Sequence, residues 1–380
     1  MDIKSYDLNN TEMLREGQRY YKLLVPGLAE NRPSVLKGDK ILINAAGRKF
    51  EGVVHRTTQE YAIMDLPVSF TRMYINGLRV DVRFTFSRTN LRTSHQALEH
   101  VHALQRRMIF PQPLEMQFNP PLTPLNTRII RPSQLNFYNR DLNQEQQSAV
   151  VGIVQSVARP APYLIYGPPG TGKTVTLVES ILQTMRAAGS DQSTKILVCA
   201  PSNAAVDVVV ERLSPFVSKS EMLRLVAFSR DRDSVPEHIL PYTSFNEDGN
   251  CFVTPDPSII KSYRIVAVTI SSGGKLFNQG ISDHFTHVFI DEAGHSVESE
   301  AVGCLFLATK QSSNPVTVLA GDPKQLGPII RSDIAKKFGL EKSLLERLTQ
   351  MEPYARYEGI DVLGNHYDKR MITKLIHNYR

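Results

Sequence analysis

The sequence predicts an α/β protein in which a mainly parallel sheet covered by helices follows a small antiparallel β-barrel and a stalk helix. Three features of the 380 residues carry that reading. Between Arg79 and Ser87, the residues Val80, Val82, Phe84 and Phe86 alternate with polar neighbours, the period of two that marks a half-buried strand. Six prolines from Pro111 to Pro132 forbid regular helix and mark an extended connector. After Leu142, short apolar runs alternate with helical stretches, the rhythm of parallel strands joined by crossovers.

Taken in order, Lys40 to Asn44, Phe50 to His55 and Tyr61 to Asp65 are the strand partners of Arg79 to Ser87, separated by turn signals at Gly38-Asp39, Ala46-Gly47 and Asn76-Gly77. Ser94 is placed to cap a helix whose Leu98, Val101, Leu104 and Met108 share one face. Beyond the connector, strands are expected at Tyr163 to Tyr166, Lys195 to Ala200, Arg264 to Thr269, His287 to Ile290 and Thr317 to Ala320, with helices over Thr174 to Ala188 and Ala204 to Leu213. The charged, turn-rich stretch 229–260 reads as an insertion. The expected division is a barrel domain at 1–93, a stalk helix and proline-rich connector at 94–141, and a phosphate-binding α/β domain at 142–380.

With 41% hydrophobic and 22% charged residues the chain can bury a core. It contains no apolar run of the ~18 residues a membrane helix needs, and its first residues lack the basic-then-apolar build of a signal peptide. Its three cysteines, Cys199, Cys251 and Cys304, form no CxxC pair, which argues against a disulfide framework or a cysteine zinc site and for a reducing compartment. The pairs His284/His287 and His100/His102 lack further ligands at metal spacing. The net charge of +6 is uneven: residues 1–140 hold 20 basic against 12 acidic residues, and the rest hold 24 against 26. Such a basic module suits a polyanion, with Arg83, Arg88, Arg92, Arg106 and Arg107 as either a nucleic-acid patch or ordinary solvated faces.

The chemistry lies in the second half. Gly167-Pro168-Pro169-Gly170-Thr171-Gly172-Lys173-Thr174 matches GxxxxGK[ST], a match that chance supplies in about one sequence in a hundred of this length. A strand precedes it and a helix follows, so its backbone N–H groups can turn inward around phosphate at a helix N-terminus. Lys173 is then expected on the β and γ oxygens and Thr174 on Mg²⁺. The run Val288-Phe289-Ile290 delivers Asp291 to the carboxyl edge of the sheet as the second Mg²⁺ partner, and Glu292 beside it can polarise an attacking water. The next strand ends in a loop, Gly321 to Pro328, whose Gly321, Pro323 and Gly327 constrain Gln325 near the γ-phosphate.

These residues resemble a known family. LNQEQ at 142–146, GPPGTGKT at 167–174, APSNAAVD at 200–207, DEAG at 291–294, GDPKQLGP at 321–328 and Asn378-Tyr379-Arg380 are similar, in order, to the motif set of superfamily 1 RNA helicases of the up-frameshift type. PGLAENRPSVLKGD at 26–39, RPAPYLIYG at 159–167 and HFTHVFIDEAG at 284–294 resemble the group formed by the Moloney leukaemia virus ten and Armitage helicases. The resemblance covers nearly the whole chain. It implies a RecA-like P-loop domain behind the barrel, with ATP and Mg²⁺ as cofactors and 5′ to 3′ movement on single-stranded RNA. It also implies cytoplasmic work, in RNA granules, with Argonaute-pathway silencing proteins as partners.

By the same resemblance Gln146 reads the adenine edge and Tyr379 packs near the base, while Arg380 reaches the phosphates from across the cleft. Ser202, Asn203 and Thr269 match positions that touch the single-stranded backbone. The family carries a second RecA-like domain with a further catalytic arginine, expected to begin where this sequence reaches Arg380. The chain therefore reads as an incomplete core that binds nucleotide without appreciable turnover. Two other readings stay open: a DNA-directed helicase of the same superfamily, since phosphate contacts are blind to the sugar, and a non-catalytic nucleotide- and RNA-binding module.

Overall fold

The computed structural model describes residues 6–17, 19–26, 35, 37–85, 88–99, 103–111, 132–247, 251–308, 315–330, 332–355 and 367–379. The chain divides into two compact units, 1–90 and 91–380.

The first unit is one antiparallel sheet of seven strands: β1 Leu8–Glu12, β2 Leu14–Glu16, β3 Tyr20–Leu24, β4 Lys40–Ala45, β5 Arg48–Thr57, β6 Tyr61–Asp65 and β7 Arg79–Thr85. Its strand order is β1-β7-β4-β5-β6-β3-β2, so β1 and β2 occupy opposite edges. Only Met13 separates them in sequence, so the sheet curls strongly to bring its two edges towards one another there, as a half-barrel whose edge strands β1 and β2 are not paired. Alternation sets the interior: Ile41, Ile43 and Ala45 of β4 face Val80, Val82 and Phe84 of β7 inside, while Lys40, Leu42 and Arg83 stay outside. A one-turn helix, Val68–Thr71, carries Phe70 into this core edge-on to Tyr21 and Phe50, at ring-centroid distances of 5.0 and 5.2 Å.

The second unit opens with the stalk helices α1 Thr89–Glu99 and α2 Ala103–Ile109. The expected helix start at Ser94 is corrected: α1 begins at Thr89, five residues earlier, and Ser94 lies in its interior. Leu98 is 54% exposed, and the buried position is its neighbour Ala97, which packs beside Gly303. A small residue at that contact lets the helix approach closely, which the spacing of large apolar residues did not register. Arg347 fastens α2 by donating to the Ile109 carbonyl at 3.0 Å while it pairs with Glu298. Most of the proline-rich connector, Val101, and the His100/His102 pair lie outside the described residues.

Seven strands, all parallel, form the central sheet: β8 Tyr163–Tyr166, β9 Ile196–Ala200, β10 Met222–Arg224, β13 Ile265–Thr269, β14 His287–Ile290, β15 Val316–Gly321 and β16 Ile372–Lys374, with β11 Phe245–Asn246 and β12 Cys251–Phe252 forming a separate hairpin. Their order is β10-β13-β9-β14-β15-β8-β16. The helices relevant to the site are α3 Gln144–Val154, α4 Lys173–Ala188 and α5 Asn203–Leu213. Strands β8, β9, β13 and β15 are buried at every residue, as expected when helices cover both faces. The stretch 229–260 lies within the crossover between the adjacent parallel strands β10 and β13 and holds the β11–β12 hairpin.

Candidate nucleotide site at the sheet edge

Because every pairing in the central sheet is parallel, the loops after β8, β9, β13, β14 and β15 leave at one edge, where ligands of such sheets bind. The loop after β8 is the glycine-rich one. Gly170 and Gly172 adopt φ of +82° and +83°, which lets the chain wrap before α4 begins at Lys173. A Cβ on Gly172 would sit 2.4 Å from Gln146 Nε2, so the loop is cradled against the start of α3. Lys173 is buried, and its ammonium donates to the carbonyls of Gly167 and Pro168 at 2.9 and 3.2 Å. The Thr171 hydroxyl donates to the Pro168 carbonyl at 2.8 Å and braces the same turn.

Strand β14 brings Asp291 to this loop. Its Oδ2 accepts from the Thr174 hydroxyl at 2.7 Å, and its Oδ1 accepts from the Glu292 N–H at 2.9 Å. Burial pushes the Asp291 carboxyl up to about 6, against the lowering effect of the Thr174 hydrogen bond. The Asp291 carboxylate and the Thr174 hydroxyl are adjacent hard-oxygen donors. That donor set fits Mg²⁺, which keeps waters and substrate oxygens in its shell. Glu292 holds a left-handed backbone, φ +50° and ψ +38°, rare for a residue with a side chain. Its carboxylate lies 3.5 Å from His295 Nδ1. Gly294, in the same turn, leaves space that a Cβ would lose against the Asp322 carbonyl at 2.9 Å, so the turn after β14 and the loop after β15 are packed against each other.

These loops border a cavity of about 680 Å³. Its lining includes Lys173, Thr174, Glu292 and Gln325 together with Asn139, Asp141, Gln146 and Tyr379. Gln325 is positioned by Asp322, whose carbonyl accepts from its N–H at 3.2 Å. Gln146 closes a capping box with Asn143 at the start of α3 and also donates to the Thr171 carbonyl at 3.2 Å. Tyr379 is tied down twice: its N–H donates to the Gly170 carbonyl at 2.9 Å, and its hydroxyl accepts from Asn143 Nδ2 at 2.8 Å. Arg380 lies outside the described residues.

Residues 6–84 match the family model of the helicase MOV-10 β-barrel domain, and residues 141–251 and 252–333 match that of an AAA domain. The chain belongs to the MOV-10 helicase family. It is 40% identical over 402 residues to mov-10-B.1 of Danio rerio, 33% over 444 residues to the RNA helicase Mov10l1 of Homo sapiens, and 31% over 410 residues to armi of Drosophila melanogaster. Each match takes in the whole chain but only 37%, 35% and 34% of those proteins, so the chain spans about a third of their length.

In this MOV-10 family chain the remaining sequence-predicted residues sit further along the same edge. Ser202 and Asn203 follow β9, Thr269 ends β13, and Thr269 pairs with Ala200 in register. Ser202 Oγ caps α5 by accepting from the Ala205 N–H at 3.1 Å. Asn203 Oδ1 accepts from Arg224 Nη2 at 2.8 Å. Arg224 itself is fully buried at the end of β10 and pairs with Asp207 at 2.9 Å, and Asp207 takes a second guanidinium, Arg230, at 2.6 Å. This Arg–Asp–Arg cluster, which fixes how Asn203 is presented, escaped the sequence reading, as did Glu179. Buried in α4, Glu179 accepts from the N–H groups of Tyr138 and Asn139, both at 3.0 Å, and so fixes Asn139, which borders the cavity. Of the barrel arginines, Arg83 is engaged within its own unit, 3.6 Å from Asp7 and donating to Asn9 Oδ1 at 2.9 Å.

Proposed function

We propose that the cavity binds ATP with Mg²⁺, and that the chain is the nucleotide- and RNA-binding part of an ATP-dependent RNA helicase or translocase. The observation that carries this reading is the convergence of Lys173, Thr174, Glu292 and Gln325, from three separate loops, on a single cavity, with Asp291 hydrogen-bonded to Thr174. Lys173 leaves its two loop carbonyls for the phosphate oxygens. Thr174 and Asp291 would hold the metal, which when bound supplies positive charge against the charge developing on the transferred phosphoryl group. Glu292 orients and polarises the attacking water, and Gln325 reports on the γ-phosphate from beside it. Gln146 and Tyr379 take the base.

Single-stranded RNA is the polymer this reading assigns to Ser202, Asn203 and Thr269. Its support is the position of all three on the edge that also carries the nucleotide loops, together with the words RNA helicase in the name of Mov10l1. Movement from 5′ to 3′, partners from the Argonaute pathway and residence in cytoplasmic RNA granules belong to the same proposal, on family resemblance. The test is ATP hydrolysis by the full-length protein with and without single-stranded RNA, using DNA of the same sequence as competitor. Hydrolysis stimulated by RNA and abolished by Glu292→Gln supports the proposal. Stimulation by DNA alone, or turnover indifferent to Glu292→Gln, contradicts it.

A further inference from the structure

We infer that Arg212 contacts the nucleoside half of the bound nucleotide, a role that none of the site motifs assigns; the inference rests on the ATP reading of the cavity. Arg212 borders that cavity, yet it does not belong to the catalytic edge. It lies in the last turn of α5, nine residues after Asn203, which at 1.5 Å per residue places it about 13 Å along the helix axis from the strand ends. One turn further on, the Phe216 ring packs edge-on against Tyr138, with centroids 5.0 Å apart. Tyr138 and Asn139 are held side by side on Glu179, and Asn139 borders the cavity. Phe216, Tyr138 and Asn139 thus link the end of α5 to the segment 138–146, which carries Gln146, the residue assigned to the base.

Its chemistry points the same way. Among the described residues the cavity is bordered by two cations, Lys173 and Arg212. Lys173 is already committed to the phosphate loop by its contacts with Gly167 and Pro168. Arg212 is exposed in the last turn of α5 and has no hydrogen-bond or ion-pair partner among the described residues, so its guanidinium is available to a ligand. A guanidinium is a planar fork of donors with no acceptor, and it stacks on π faces. A ribose supplies hydroxyl oxygens, and a purine supplies ring nitrogens and a flat face, all of which such a group can meet without displacing a protein partner.

The test is titration calorimetry of the chain with three probes, ATP, ADP and inorganic triphosphate, each with Mg²⁺. The proteins compared are wild type, Arg212→Ala and Lys173→Ala, with melting temperatures measured to show that the variants fold. Arg212→Ala is expected to weaken ATP and ADP by a common factor of about five or more and to leave inorganic triphosphate unchanged, whereas Lys173→Ala weakens ATP and triphosphate together. Wild-type affinity for ATP and ADP in Arg212→Ala overturns the inference while leaving the ATP site in place. Loss of triphosphate binding in Arg212→Ala overturns it too, by making Arg212 a phosphate ligand. If Lys173→Ala binds ATP as wild type does, the ATP reading itself fails and takes this inference with it.

Discussion

The Thr174 hydroxyl and the Asp291 carboxylate, 117 residues apart in sequence, meet at 2.7 Å between the first turn of α4 and the end of β14. This hydrogen bond joins the phosphate loop to the acidic loop and brings together the two oxygens assigned to Mg²⁺. The contact comes at a cost, because burial disfavours the ionised carboxylate more than the Thr174 hydrogen bond and the nearby Lys173 ammonium favour it.

That cost predicts a pH dependence. Asp291 has its carboxyl raised from 3.8 in the unfolded chain to about 6 in the fold, so the folded state favours the protonated form. The stability this confers is fully present below 3.8 and lost as pH rises through about 6. Asp291→Asn removes the penalty and keeps an acceptor for Thr174. It should stabilise the metal-free protein at pH 8 by up to roughly 3 kcal/mol, at about 1.4 kcal/mol per pKa unit, with the gain level down to about pH 6 and shrinking from there towards 3.8. Denaturant melts of both proteins across that range check it; a gain that is independent of pH contradicts the assignment of burial as the cause.

Gly172→Ala should damage the nucleotide site more than the fold. At φ +83° an alanine is strained, and its Cβ would meet Gln146 Nε2 at 2.4 Å, pushing apart the loop and the start of α3. The strain is about 1–2 kcal/mol, whereas ATP affinity should fall at least tenfold, since the N–H groups of the loop lose their common focus. Calorimetry set beside a thermal melt separates the two effects.

The Arg224–Asp207–Arg230 cluster predicts an asymmetry between its members. Asp207→Ala leaves two guanidinium groups facing each other, one of them fully buried, and should cost about 3–5 kcal/mol. Arg230→Met removes the more accessible partner and leaves the Arg224–Asp207 pair at 2.9 Å intact, so it should cost less. Thermal melts rank the two, and equal losses would show that the cluster does not act through paired charge.

Thiol chemistry gives a further check. Cys199 and Cys304 are both buried with sulfurs 3.6 Å apart, and burial first, then the Cys304 thiol, pushes the Cys199 thiol well above the ordinary cysteine range. Both should resist alkylation in the folded protein while the partly exposed Cys251 reacts first, as read by mass spectrometry of digests. Early labelling of Cys199 would contradict the packing of β9 against the helix Glu298–Leu305.

What the sequence disclosed follows the physics of each element. Strands β8 and β14 lie where the apolar runs placed them, because a strand buried on both faces is a continuous run ended by a polar residue or glycine. The phosphate loop and Asp291-Glu292 were legible because each is a short string of constrained residue types next to such a strand. Strands β10 and β16, three residues each, were not: MLR and ITK are too short to show a period, and they become strands by pairing with β13 and β8. Strands β1 and β2 were missed for a related reason, since LNNTE and LRE bury almost nothing and owe their place to pairing at the sheet edges, whereas β3, YYKLL, alternates and buries Tyr21 and Leu23 but was passed over. Asp207 finds its guanidiniums 17 and 23 residues away, and Arg212 reaches the cavity only because α5 packs beside α4; neither relation leaves a local pattern.

The central claim is that this cavity is a phosphate site built around Lys173, and nucleotide binding to the wild-type and Lys173→Ala proteins tests it most directly. Removing the ammonium leaves bound phosphate charge unpaired, so titration calorimetry with Mg²⁺ and ATP should show at least a tenfold loss of affinity, about 1.4 kcal/mol or more. Equal affinity in the two proteins would contradict the account.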